Sequence, residues 1–155
     1  MRSMSRPVHA RQLVSGTTRE EAFAALLDVH SVPEWAFGVS RISLLDGMTV
    51  MVPGVSMEFV LNAAGFTHEV VSIITVLQAP QVLEWRYVHG AVGGGGWMVE
   101  EAGPRTVEMT LWTDYEVRPA WLNAVAHRPF FRRVTEDLLR RSMRRLGQRL
   151  SGRDG

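Results

Sequence analysis

The stretch Pro129–Leu150, with the sequence PFFRRVTEDLLRRSMRRLGQRL, carries the longest helical pattern in this chain. Apolar or small side chains recur at a spacing of three or four residues: Phe131, Val134, Leu138, Ser142, Leu146 and Leu150. This period is that of an α-helix with one apolar face. The pattern therefore predicts a helix of about six turns, which Pro129 begins or kinks away from a turn at Trp121–Ala126.

The residues upstream of this helix form short runs typical of β-strands, several with alternating apolar and polar side chains. The predicted strands are Pro7–Ser15, Val39–Leu45, Val55–Asn62, Phe66–Leu77, Val82–Val88, Trp97–Glu101 and Arg105–Val117. Turn residues separate several of them, including Asp46-Gly47, Ala79-Pro80 and Gly103-Pro104.

Four consecutive glycines, Gly93–Gly96, precede the sixth predicted strand. Glycine within a sheet often marks a bulge or the close approach of another group. We interpret the run either as a bulged or flexible hairpin or as a place where another group comes close. A phosphate-binding loop is excluded, because no Lys-Ser/Thr pair follows and no helix begins there.

Two short helices are predicted between the first and second strands. Thr17–Asp28 begins with a capping box in which Thr17 would satisfy free N–H groups and Glu20 would reach back. Ser31–Glu34 repeats the S-x-x-E pattern, with Pro in a first turn, and predicts a second helix that ends by Gly38. About seven strands and three helices form an α+β layout. A curved sheet wrapped on the last helix would leave a cavity between them.

Composition sets the class of protein. The 155 residues suit a single domain (1–155), and 46% hydrophobic with 21% charged residues is ordinary for a globular chain. No apolar run approaches the ~20 residues of a membrane span, and Met1–Arg6 lacks the apolar core of a secretory signal.

The chain has no Cys, which excludes disulfides and thiolate metal sites. Every basic residue is Arg, which indicates a GC-rich bacterial genome, and we expect a cytoplasmic protein.

The charge is concentrated at the C-terminal end. Residues 128–155 contain nine Arg and three acidic residues, and the rest of the chain has an excess of acidic residues. We interpret the Arg residues as a solvated outer face with i,i+4 pairs, Glu136 with Arg140 and Asp137 with Arg141. Neither aromatic interleaving nor a recognised motif accompanies them, so we expect no nucleic-acid partner. Contact with an anionic membrane surface is a less favoured alternative.

The order of these elements resembles the helix-grip fold of the START-like superfamily, also called SRPBCC. This group includes polyketide cyclases, lipid-transfer START domains and the birch-pollen allergen type. The matching stretches are Thr17–Leu27, Leu27–Trp35, Gln78–Trp85 and Gly103–Val107. The resemblance covers roughly residues 7–150. It implies a seven-stranded curved antiparallel sheet wrapped around the long C-terminal helix, with a cavity that binds a small apolar molecule.

That cavity would be lined by one face of the strands and of the last helix. The expected ligand-binding residues are Met57, Phe59, Leu61, Leu83, Trp85, Met109, Leu111, Thr113, Phe131 and Leu138. A pocket of this kind is mostly apolar with few polar groups. The same side chains would also suit a solid core, because core and cavity lining look alike in sequence.

Three side chains are the expected catalytic groups if a reaction takes place: Tyr87, His89 and Tyr115. A phenol can donate a hydrogen bond to a ligand carbonyl, and His68 and His89 are the best titratable candidates for acid–base work. The five His residues show no metal-ligand spacing. We therefore expect neither a metal nor a cofactor.

The resemblance to aromatase/cyclases extends to Asp114–Pro119 at the end of the last strand. Those cyclases carry an Arg on a middle strand that polarises the substrate carbonyl, but the matching stretch Ile73–Val76 has none. A Tyr typical of their second strand is missing from Val39–Leu45. Because these stretches supply no group to stabilise a developing enolate, the sequence favours ligand binding over cyclisation.

Three functions stay open. The favoured one is binding of a polyketide, lipid or similar hydrophobic metabolite. The second is a polyketide aromatase/cyclase or dehydratase that acts in the same cavity. The third is a quinone- or lipid-handling partner protein, because Leu27–Trp35 also resembles the quinone-binding branch. Trp112 and Val60 on outer faces would mark a homodimer patch, although single exposed apolar residues are normal.

Overall fold

The helices and strands follow one another in the predicted order. The computed structural model describes residues 8–63, 66–117 and 129–152. Its elements are β1 (Val8–Ser15), α1 (Arg19–Leu27), α2 (Val32–Trp35), β2 (Val39–Leu44), β3 (Ser56–Ala63), β4 (Phe66–Gln78), β5 (Val82–His89), β6 (Ala91–Gly103), β7 (Thr106–Val117) and α3 (Pro129–Leu150). The predicted turn at Trp121–Ala126 lies outside the described residues.

All seven strands pair antiparallel in the order β1-β7-β6-β5-β4-β3-β2. Helix α3 packs on the inner face, where Met143 and Leu146 belong to the same buried cluster as residues of the sheet. Gly147 allows a close approach to β1, because a Cβ there would lie 2.6 Å from Gln12 Nε2. The predicted helix-grip fold, with a curved sheet around the C-terminal helix and two short helices between β1 and β2, is confirmed.

Helix α1 begins later than the capping pattern predicts, so the assignment of Thr17 as the N-cap is wrong. Thr18 is the N-cap, and its hydroxyl accepts a hydrogen bond from the backbone N–H of Glu21 at 3.2 Å. Thr17 is fully buried and donates to the Glu21 carboxylate at 3.3 Å. The T-x-x-E pattern occurs twice, from Thr17 and from Thr18. Because Thr17 is buried, the helix is capped by the second occurrence, which begins at Thr18.

Helix α2 forms where predicted, but the Ser31 side chain does not cap it, because its hydroxyl donates to a backbone carbonyl of the preceding turn. Two contacts instead tie α2 and the residues after it to α3. Ser142 Oγ accepts the backbone N–H of Phe37 at 2.8 Å, and Arg149 Nη2 lies 2.9 Å from Glu34 Oε2. The last helix thereby fixes the position of α2.

The glycine run Gly93–Gly96 lies inside strand β6, so the predicted strand Trp97–Glu101 is only the second half of a longer one. A Cβ at Gly94 would lie 2.5 Å from the backbone oxygen of Trp85 on the neighbouring strand. Of the two interpretations of the glycines, the close approach of another group is confirmed and the hairpin is wrong.

The outer face of α3 is charged and exposed. The predicted i,i+4 pairs are present, with Arg140 3.7 Å from Glu136 and Arg141 3.5 Å from Asp137. Such exposed pairs contribute little to stability, typically under ~1 kcal/mol. Within the described ranges, no helix combines the length and apolar character needed to cross a membrane.

The buried core lies at one end of the sheet, beneath the last turns of α3. Its largest fully buried side chains include Phe23, Met57, Ile74, Met109 and Leu146. Here Trp35 packs edge-on against Trp97, with ring centroids 5.9 Å apart. This end of the molecule is therefore filled by side chains.

Candidate functional site

The inner face of the sheet changes from buried to half-buried along its strands. Four of the predicted ligand-binding residues are buried: Met57, Leu83, Met109 and Leu111. Five are half-buried: Phe59, Leu61, Trp85, Thr113 and Leu138. The side chain of Phe131 lies outside the described residues. The half-buried group lies toward the β3–β4 and β5–β6 hairpins, so the inner face is less covered at this end of the sheet.

Glycines of β6 make room for aromatic rings on both faces of the sheet. A Cβ at Gly95 would lie 2.7 Å from Cζ2 and 2.8 Å from Cε2 of Trp85 on the inner face. A Cβ at Gly96 would lie 2.7 Å from Nε1 of Trp112 on the outer face. Because real Cβ atoms do not approach other atoms so closely, the Trp85 indole can lie over β6 only where residue 95 has no side chain.

The same glycines let Tyr87 reach across a whole strand. Its hydroxyl lies 2.8 Å from Thr113 Oγ1 on β7, and Thr113 Oγ1 lies 3.4 Å from the Gly94 carbonyl oxygen. Burial raises the pKa of the Tyr87 phenol above its ordinary value of 10.0, and the nearby charge of Asp114 also raises it. The hydrogen bond with Thr113 and the nearby polar side chain of Trp85 act in the opposite direction. The phenol is thus held in its protonated form at neutral pH.

Two polar groups on this face are buried without a hydrogen-bond partner among the described residues. They are Trp85 Nε1 and Ser72 Oγ. The indole influences the Tyr87 pKa, but its N–H makes no hydrogen bond of acceptable geometry. Ser72 is directly opposite Tyr87 in the pairing of β4 with β5. Buried polar groups normally have a partner, so both groups indicate a position for a bound molecule or water.

The two histidines singled out from the sequence meet at the β5–β6 hairpin. His68 Nε2 lies 2.6 Å from the Gly90 carbonyl oxygen, and because a carbonyl only accepts, His68 donates. His89 is exposed and, with His68, lines an open groove of about 600 Å³ that also includes Glu69 and Val92. The pairing of β4 with β5 shifts between Val71 and Ser72, so His89 does not simply continue the face of Tyr87.

The three predicted catalytic residues are therefore placed differently. Tyr87 lies on the inner face, His89 lies in the open groove, and the side chain of Tyr115 is outside the described residues. Sequence reasoning missed Ser72 and the partnerless indole of Trp85. Ser72 carries a weak signal, since it is a polar residue on the inner face of a strand rich in β-branched residues.

In the parts of the chain that the structure describes, no group of three or more His, Asp or Glu side chains is arranged to hold a metal ion. The polar groups that the structure describes at the half-buried end of the inner face include the hydroxyls of Ser72, Tyr87 and Thr113 and the indole N–H of Trp85.

Comparison with known proteins agrees with this architecture. The chain matches the family described as polyketide cyclase / dehydrase and lipid transport over residues 8–151. No curated protein matches it in sequence.

Solved structures share the fold at low sequence identity. A protein of Thermus thermophilus has a TM-score of 0.79 at 11% identity, covering 97% of this chain and 100% of its own. The Zhui aromatase/cyclase from a Streptomyces species has a TM-score of 0.77 at 15% identity, covering 96% and 94%. A START superfamily protein from Mycobacterium smegmatis has a TM-score of 0.67 at 14% identity, covering 95% of both chains.

The family match spans nearly the whole described chain, and the strand order and C-terminal helix are those that the sequence predicted. This protein belongs to the polyketide cyclase / dehydrase and lipid transport family.

Proposed function

We propose that this protein binds a small hydrophobic molecule between the inner face of the sheet and helix α3. The observation that carries the proposal is the change from a buried to a half-buried inner face. Phe59 and Trp85 pack against the core on one side and remain partly accessible on the other. A ligand that covered such apolar surface would gain roughly 25 cal/mol per Å² removed from water.

The position of α3 supports the same proposal. Leu138 lies close to Gly38, where a Cβ would be 3.3 Å from its Cδ1. Further along the helix, Met143 and Leu146 are buried in the core. The helix thus packs firmly at its C-terminal half, while Leu138, one to two turns earlier, is only half-buried. A hydrophobic ligand bound between the sheet and helix α3 would contact both of them.

A neutral fluorescent probe tests the proposal. N-phenyl-naphthylamine should bind at one site, with increased fluorescence and a raised melting temperature, because a ligand that binds only the folded state stabilises it. Leu61→Asp should weaken this binding by placing a charge among the half-buried apolar side chains. Leu13→Asp is the matched control, since Leu13 is 63% exposed. Equal binding by both variants, or no saturable binding at all, would contradict the proposal.

A second candidate is catalysis of the polyketide cyclase or dehydratase type on a ligand in the same cavity. The observation that favours it is the Tyr87–Thr113 hydroxyl pair, whose phenol is protonated at neutral pH and can donate to a carbonyl oxygen. In this proposal Tyr87 is the donor, and His89 and Tyr115 remain the other proposed catalytic groups. Turnover of a poly-β-ketone by wild type but not by Tyr87→Phe would support it. Unchanged turnover in a variant with Tyr87→Phe, His89→Ala and Tyr115→Phe together would rule out these roles.

The quinone- or lipid-handling alternative starts from the resemblance of Leu27–Trp35, and the Arg-rich face of α3 would meet a membrane surface. It is less favoured, because Arg140, Arg141 and Arg149 pair with acidic side chains. Salt-sensitive binding to anionic liposomes would support it, since such attraction is screened by salt.

A further inference from the structure

The half-buried end of the inner face holds an indole donor beside hydroxyls that can each donate one hydrogen bond. The indole Nε1 of Trp85 can only donate, and it is buried without a partner among the described residues. Its ring edge lies over Gly95, which pairs directly with Thr113. The N–H therefore lies close to the hydroxyl pair of Tyr87 and Thr113.

The hydroxyls beside it leave a donor available in the same place. Thr113 Oγ1 can donate to the Gly94 carbonyl oxygen at 3.4 Å or to Tyr87 at 2.8 Å. When Thr113 donates to Tyr87, the phenol proton is free for a ligand. Ser72 Oγ, on the strand position opposite Tyr87, is a further hydroxyl without a partner among the described residues.

No cation balances a negative charge at this position in the described parts of the chain. The arginines on the strands, Arg11, Arg41 and Arg86, are exposed, as are those arginines of α3 whose side chains the structure describes, and the chain has no Lys. His68 is the imidazole on this face, and its Nε2 is already bonded to the Gly90 carbonyl. On β7, which β6 separates from β5, Asp114 brings a negative charge near Tyr87. Among the side chains that the structure describes, a carboxylate ligand that lost its hydration here would find no counter-charge.

We infer that the cavity selects uncharged hydrophobic molecules that carry a carbonyl oxygen, which accepts hydrogen bonds from Trp85 Nε1 and the Tyr87 hydroxyl, over hydrocarbons and over carboxylates. This inference rests on the proposed function and adds to it the chemical class of the ligand. A carbonyl oxygen has two acceptor positions, and two donors converge at this point of the inner face.

Matched ligand series test the inference by displacement of N-phenyl-naphthylamine. One series is undecane, methyl nonyl ketone and undecanoate, and the other is tetralin, 1-tetralone and tetralin-1-carboxylate. We expect each ketone to bind about fivefold or more tightly than its hydrocarbon, because it satisfies a buried donor. Each carboxylate should bind at least about tenfold more weakly than its ketone.

Trp85→Phe removes the N–H while keeping an aromatic ring, and should abolish the preference for the ketone over the hydrocarbon. Trp112→Phe is the matched control, because that indole lies on the outer face against Gly96, and it should keep the preference. A readout that needs no variant is the indole proton of Trp85 in NMR spectra of nitrogen-labelled protein. It should shift downfield with the ketone and not with the hydrocarbon, while the indole proton of Trp112 stays unchanged.

The outcomes separate the two proposals. Equal affinity for ketone and hydrocarbon, tighter binding of the carboxylates, or an unshifted Trp85 indole proton would overturn the inference and leave the hydrophobic binding site intact. If neither the probe nor any ligand of either series bound, the proposed function would fall first and the inference with it.

Discussion

The hydroxyls of Tyr87 and Thr113 lie 2.8 Å apart although their strands, β5 and β7, are separated by β6. Neighbouring strands are about 4.8 Å apart, so a phenol can span this distance only when the strand between carries no side chain on that face. Gly95 is the residue of β6 that pairs with Thr113. The glycine run thus links the strand geometry to the polar chemistry of the inner face.

Gly95→Ala should disturb this arrangement. The new Cβ would lie 2.7 Å from the Trp85 ring and 2.9 Å from the Trp112 carbonyl oxygen, and overpacking of this kind costs about 1–3 kcal/mol. We expect a lower free energy of unfolding in urea and weaker binding of N-phenyl-naphthylamine. Gly47→Ala is the control: its φ of 69° makes an alanine strained, but nothing lies within 4 Å of the added Cβ. That variant should lose stability and keep probe affinity.

Two buried serines should respond in opposite ways to removal of the hydroxyl. Ser142 Oγ donates to the Leu138 carbonyl and accepts the N–H of Phe37, so Ser142→Ala should cost about 1–3 kcal/mol. Ser72 Oγ has no partner among the described residues, and Ser72→Ala should leave the unfolding free energy unchanged or raise it. Urea denaturation of both variants measures the difference. A loss of stability in Ser72→Ala as large as in Ser142→Ala would mean that an ordered water satisfies the hydroxyl.

Removing the hydrogen-bonded His68 and removing the exposed His89 should have different effects on the free energy of unfolding. His68→Ala removes the 2.6 Å hydrogen bond to the Gly90 carbonyl and should cost about 1–2 kcal/mol. His89→Ala changes an exposed side chain and should alter the unfolding free energy by less than about 0.5 kcal/mol. If His89 has the proposed catalytic role, its variant would still lose turnover of a poly-β-ketone while keeping stability. Thermal and urea unfolding of the two variants, with the turnover assay, separates stability from catalysis.

Periodicity along the sequence predicted most of the fold. The alternation of Leu83, Trp85 and Tyr87 with polar residues predicted β5, because alternate side chains of a strand face opposite sides of the sheet. The apolar spacing in Pro129–Leu150 predicted α3, because residues three or four apart lie on the same face of a helix. These patterns depend only on which residues face inward, and the sequence contains that information.

The details of the candidate site depended on contacts between strands that are distant in sequence. The sequence alone leaves a hairpin open at the glycine run, because the rings that require these glycines come from Trp85 and Trp112 on the neighbouring strands. That Trp85 Nε1 lacks a partner among the described residues follows only from the packed structure. The N-cap of α1 is Thr18 and not the predicted Thr17, because Thr17 is buried.

The raised pKa of Tyr87 predicts a loss of stability at high pH. Because the pKa of the phenol is higher in the folded than in the unfolded protein, the contribution to stability is complete below about pH 10. It is lost as the pH rises through the folded value, since the unfolded state releases the proton first. Tyr87→Phe should be about 1 kcal/mol less stable at neutral pH, through loss of the bond to Thr113, and should lose less further stability above about pH 10.

Urea unfolding of wild type, Tyr87→Phe and Thr113→Val across this pH range measures the effect. Thr113→Val removes the hydrogen-bond partner and keeps the phenol. That variant should therefore retain the loss of stability at high pH, because the burial that raises the pKa of Tyr87 is still present. If Tyr87→Phe and wild type lost stability in parallel above about pH 10, the phenol would ionise as readily in the folded protein as in the unfolded chain. It would then be open to water and not enclosed on the inner face of the sheet.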